Sequence, residues 1–173
     1  MEKKVSTPVQ KGLIITLVLI VYGLALYFTD QFTNKGLSYV QYLILVGGII
    51  WACIVYANQM DGNVTFGNVF AHGFKTTAFV AAAIAVYTLI ATKFLFPDMI
   101  DKAMDAARQE MLSDGKMSED QIDQGIEIGR KFFIPFAVGG IIFIFALLGA
   151  LGSLIGAAAA KKQPKDPFAQ PQI

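Results

Sequence analysis

Four stretches of the chain are apolar and free of charge: Gly12 to Phe28, Tyr39 to Ala57, Thr76 to Ala91 with a continuation past Lys93 to Phe96, and Phe136 to Ala160. At 1.5 Å of rise per residue, about 20 residues cross a hydrocarbon core of about 30 Å, so each stretch is long enough, or nearly so, to cross as a helix. None shows the alternation of apolar and polar residues that a membrane strand requires, and a lone helix satisfies its own backbone in lipid. The pattern predicts spans at about 12–28, 39–57, 74–96 and 133–160.

The segments between the spans carry helix and turn signals. Asp30, Asn34, Lys35 and Gly36 form a short polar turn that makes the first two spans antiparallel neighbours, with Tyr27, Tyr39 and Tyr42 at its edges as an interfacial aromatic belt. Asp61, Gly62 and Asn63 supply a second turn, and Thr65 an N-cap for a helix in which Phe66, Phe70 and Phe74 recur every fourth residue. The segment 97–131 is extramembrane and reads as an amphipathic helical hairpin. Its first arm carries the stripe Ile100, Ala103, Met104, Ala107, Met111 and stops near Gly115. Its second arm opens on a Ser118/Gln121 capping box, with Met117 and Ile122 as a hydrophobic staple. A stripe of Ile122, Ile126 and Phe133 leads that arm toward the fourth span, with a kink at Pro135.

The fold class expected is all-α: an integral membrane bundle of four transmembrane helices with an amphipathic hairpin between spans three and four. Residues 1–160 form one membrane domain and 161–173, rich in proline and without periodicity, a disordered cytoplasmic tail. The first run follows Lys3, Lys4 and Lys11 as a signal peptide would, but its apolar character continues through Leu26, Tyr27 and Phe28, so it reads as a retained span.

Composition supports a lipid solvent. Hydrophobic residues make up 55% of the chain and charged residues 16%, against about one quarter charged in a soluble domain. A net charge of +1 excludes an overall electrostatic footprint for nucleic acid. One cysteine, Cys53, and one histidine, His72, exclude an intrachain disulfide and a cysteine- and histidine-rich zinc site. With an even number of spans the termini share a side, and Lys3, Lys4, Lys11, Lys161, Lys162 and Lys165 favour the cytoplasm for them. Basic residues at the other end balance that count, but there acidic neighbours surround them: nine acidic against five basic residues in 97–131.

Small residues mark the fourth span. Gly152 and Gly156 form a GxxxG pair, and Gly149 and Ser153 repeat the spacing beside it, which suits either self-association or packing against spans of the same chain. Candidate chemistry is sparse. No ionisable residue lies at the middle of a span, where an ion path or proton relay would need one. The central polar atoms, those of Thr16, Tyr22, Thr88 and Ser153, can be satisfied by their own or a neighbouring helix. His72 and Lys75, three apart on one helix, are the candidates for contact with a lipid headgroup at the interface. Asp98, Asp101 and Asp105 share a helix face but lack the wrapped oxygen cage that calcium prefers. No catalytic, cofactor-binding or metal-binding set is expected.

The run from Gly62 to Phe74, which includes Phe66, Gly67, Phe70, His72 and Gly73, resembles the glycine and phenylalanine signature of a bacterial membrane family called domain of unknown function 4199. Met117 to Gln121, then Pro135, then Gly152, Ser153, Leu154 and Ile155 with Lys161 and Lys162, look like its later landmarks, so the likeness runs from Gly12 to Lys162. Ala71 and His72 depart from the expected pattern. The resemblance implies a four-span bacterial inner-membrane protein with an acidic helical segment between spans three and four, and it implies no activity. The function expected is that of a non-enzymatic accessory or scaffold component, its partners being the lipid bilayer and either another membrane protein or a second copy. A small transporter or channel subunit is the alternative, and an enzyme on a lipid-linked substrate, with His72 and Lys75 as binding groups, the third reading.

Overall fold

A computed structural model describes residues 5–162, and five α-helices occupy most of them. The first, α1 (Pro8–Phe28), starts one turn earlier than the apolar run. Thr7 and Gln10 form a reciprocal capping box and Pro8 presets the first helical dihedral, so the polar residues before Gly12 are already helical. A turn with Asp30 at positive φ leads to α2 (Lys35–Gln59), whose cap is the Asn34 side chain accepting from Gly36 N–H. A second turn places Asp61 and Gly62 in the left-handed region, and Thr65 caps α3 (Phe66–Ile90) by accepting from Asn68 N–H at 3.2 Å.

Past Ile90 the chain widens into a π-helical turn, Ala91–Leu95, that stops short of Pro97. Helix α4 (Met99–Asp114) ends on Gly115, whose φ of +62° is the left-handed stop that glycine takes without a Cβ clash. The last helix, α5 (Glu119–Ala159), runs 41 residues from a Ser118/Gln121 capping box.

One feature differs from the sequence expectation. The molecule is not a four-helix bundle with a separate hairpin: the second arm of that hairpin and the fourth span are one helix, so five helices result. The helix runs on through Pro135, as expected of an arm that leads into the fourth span, since a proline removes a single amide donor and membrane helices accommodate that loss. The tail expected from 161 onward falls, beyond Lys162, outside the described residues.

Four helical stretches are long and apolar enough to cross a membrane: Pro8–Phe28, Lys35–Gln59, Phe66–Leu95 and Glu119–Ala159. They pack up and down around a core of Ile15, Leu19, Leu45, Ile49, Val80 and Phe145, with α5 laid along α2 and α3, and α1 along α3 and α2. Leu17, Val21, Leu43, Phe143, Leu147 and Leu151 point away from this core and are more than half exposed. An apolar shell of that extent has no place on a water-soluble monomer. The start of α1, the α2–α3 turn and the end of α5 lie together at one end, where Lys162 Nζ stands 5.3 Å over the Phe66 ring. The α1–α2 turn, α4 and the start of α5 form the other end.

Candidate functional site

At the end that carries the termini, three helices and the segment before α1 converge on a lysine. The capping box that starts α1 early also turns Lys11 inward, and only 1% of the residue is exposed. Its ammonium donates to Ser6 O at 3.1 Å, to Gln59 Oε1 at 3.4 Å and to His72 Nε2 at 3.1 Å. Gln59 Oε1 also accepts from Ser6 N–H and Oγ–H at 3.0 and 2.8 Å, so one amide at the end of α2 holds the start of the chain. An ammonium has no acceptor, so the imidazole nitrogen facing it is the bare one and Nδ1 carries the ring hydrogen. Tyr56 stacks on His72 at 4.1 Å and 12°, and the Lys11 ammonium stands 5.5 Å from the Tyr56 ring centre. Among the described residues no carboxylate pairs with Lys11. The cluster therefore joins helices through neutral acceptors and a ring face.

The two residues singled out for headgroup contact do not come together. His72 faces inward and is 7% exposed, whereas Lys75 lies on the exposed side of α3. The four small residues of the last span are all buried against α2 and α3 of the same chain. A Cβ on Gly149 would come within 2.0 Å of Thr77 Cγ2, one on Gly156 within 2.6 Å of Cys53 Cβ, and one on Gly152 within 3.2 Å of Ile49 Cβ. Ser153 is fully buried and donates to Gly149 O at 2.7 Å, and Gly73 of α3 sits against both Ser153 and Cys53. Tyr22 and Thr88 donate to Leu37 O and Ile84 O, but Thr16 Oγ1 is buried without a hydrogen-bond partner among the described residues.

At the opposite end, α4 is fastened on two sides. Toward the α1–α2 turn, Lys102 pairs with Asp30 at 3.1 Å, Lys35 pairs with Glu110, and the Tyr27 hydroxyl donates to Asp98 at 2.6 Å. Toward α5, Arg108 pairs with Asp123 at 2.7 Å and Arg130 with Asp101, over a contact in which Ile122 is buried and Met104 approaches Gly129. The Tyr27 hydroxyl bond, then Lys102, holds the Asp98 carboxyl below its ordinary range. Hydrogen bonds to Asp30 and Asp98 raise Lys102 above its own. Asp105, Glu119, Asp120 and Glu127 are exposed, and among the described residues none of them has an ion-pair partner. Glu119 and Asp120 also face the positive end of the α5 dipole, which accounts for part of their placement.

Sequence reasoning missed Lys11 and Gln59, because a lysine before an apolar run reads as a solvated flank and their partners lie 48 and 61 positions away. It also missed Gln41, whose signal was legible: a glutamine inside the apolar run from Tyr39 to Ala57. Among the described residues no group of three or more histidine, cysteine, aspartate or glutamate side chains is arranged to hold a metal ion.

A family model described as Protein of unknown function (DUF4199) matches residues 10–162. No curated protein and no solved structure matches the chain.

Proposed function

The chain belongs to this family of unknown function, and on that premise we propose that it is a non-enzymatic scaffold of a bacterial inner membrane, with cytoplasmic termini and α4 with the start of α5 as an external docking headpiece. The observation that carries the reading is the double fastening of α4. Ion pairs to the α1–α2 turn and to α5 hold a short, otherwise exposed helix in one orientation, while Asp105 and Glu127 stay exposed and have no ion-pair partner among the described residues. Pre-ordering a polar surface lowers the entropy lost when a partner binds it. The partner chemistry that fits is a basic patch on another membrane protein, since opposite charge speeds encounter and fixes register.

The test is affinity purification in a mild detergent from the native host, comparing the wild-type chain with Asp105→Asn/Glu119→Gln/Asp120→Asn/Glu127→Gln. A stoichiometric partner that co-purifies with the wild type and is lost from the neutralised variant and at raised salt is expected. Recovery of the wild-type chain alone, or of the same partner with both chains, would overturn the headpiece reading.

A further inference from the structure

The inner and outer halves of α5 contact their neighbours differently. Toward the chain ends, Gly149 and Gly156 leave no room for a methyl group and Gly152 leaves little, whereas a Cβ on the half-buried Gly140 meets nothing within 4 Å. Helix α5 is therefore pressed onto α2 and α3 along one half and stands off from them along the other. The gap is a crevice of about 340 Å³, within the size range of ligand sites, with Gln41, Tyr42, Thr88, Gly140 and Phe145 among its lining residues.

Gln41 also lines a smaller cavity of about 170 Å³ toward α1, beside Tyr27, Phe32 and Met99. Its amide has two donors and an acceptor, yet the side chain makes no hydrogen bond to any described residue. Thr88 and Ser38, by contrast, already donate to Ile84 O and Asn34 O within their own helices. Gln41 lies about 9 Å along α2 from Lys35, and the 25-residue helix exceeds a hydrocarbon core of about 30 Å by only about 7 Å. With that excess at this end, the Gln41 backbone lies about 2 Å inside the hydrocarbon and its side chain within reach of the glycerol esters, where water is scarce and an unpaired polar group is costly. Below it the crevice is lined by Ile84, Ile141, Ile144 and Phe145.

We propose that this crevice is a binding site for one glycerophospholipid of the adjacent leaflet, an ester carbonyl accepting from the Gln41 amide and an acyl chain lying along Ile84, Ile141 and Phe145. Three observations point to lipid. The crevice lies between helices of membrane-spanning length, its polar side chain lies within reach of the ester region by helix length, and its floor is apolar. The site is independent of the headpiece.

The full chain, reconstituted in vesicles of phosphatidylethanolamine and phosphatidylglycerol and then transferred to mild detergent, is examined by native mass spectrometry. The wild type should retain one phospholipid per chain. Gly140→Leu fills the gap where no neighbour is displaced and should reduce retention about tenfold, and Gln41→Leu should reduce it as well. Gly139→Leu, which adds the same bulk at a residue that does not line the crevice, should retain lipid like the wild type and report that the helix tolerates leucine there. Equal retention by Gly140→Leu and Gly139→Leu, or no retained lipid on the wild type, would overturn the site.

Discussion

Lys11 Nζ lies 3.1 Å from His72 Nε2, across 61 positions of sequence, and the two side chains belong to α1 and α3. A buried ammonium bonded to a neutral imidazole, an amide oxygen and a backbone carbonyl gains hydrogen bonds without a counter-charge, so each acceptor matters to the burial of that cation.

Substitution at either partner should therefore be felt, and the pair should be coupled. Lys11→Met and His72→Phe are each expected to lower stability by about 1–3 kcal/mol, because each leaves a buried polar group short of a partner. The double variant should lose less than the sum, since it removes both orphaned groups at once. Thermal unfolding in detergent micelles checks this, and strictly additive losses would mean that the two side chains do not sense each other.

The glycine face of α5 gives a sharper contrast. Gly149→Ala and Gly156→Ala force a methyl group into Thr77 and Cys53 and are expected to cost about 1–3 kcal/mol each. Gly140→Ala, on the crevice side of α5, meets open space and should be neutral or stabilising by up to about 1 kcal/mol, through helix propensity alone. Equal losses at all three positions would contradict the half-pressed, half-open course of α5.

The headpiece fastening should depend on pH at both extremes. Asp98 is held below its ordinary range, so its contribution is present above the carboxylate's unfolded value and is lost as pH falls through the lower folded one. Lys102 is raised, so its contribution is complete below the lysine's unfolded value and is lost as pH climbs through the higher folded one. Both groups are exposed and solvent screens them, so the expected change is local. A spin label at Ser113→Cys should be least mobile near neutral pH and gain mobility in acid, in strong alkali and, at neutral pH, in Lys102→Gln. Unchanged mobility across that range would argue that these bonds do not hold α4.

Orientation is open to direct labelling, because the single native thiol is fully buried and donates weakly to Val69 O. In spheroplasts, a membrane-impermeant maleimide should label Ser113→Cys and spare Asn63→Cys and the unmodified chain. The opposite pattern would invert the proposed topology, and labelling of both sites in sealed cells would speak against a bilayer between them.

Much of the architecture was legible because hydrocarbon is an undemanding solvent that asks only for length and apolarity, and the four runs met both. The caps at Thr65 and Ser118 and the stop at Gly115 were legible too, since each is a local bond or dihedral written within four residues. What escaped was long-range or permissive. The Lys11 cluster is assembled from α1, α2 and α3, and no local pattern announces it. The π-helical turn at Ala91–Leu95 has no composition of its own. The small-residue spacing at Gly149, Gly152, Ser153 and Gly156 was plain in sequence, but the partner against which it closes was not.

The unbroken course of α5 has a mechanical meaning. At 1.5 Å per residue its 41 residues make a rod about 60 Å long, clamped by glycines at one end and carrying the headpiece at the other. A displacement at the α4 end would be carried to the glycine clamp along one continuous helix that lacks one backbone hydrogen bond, at Pro135.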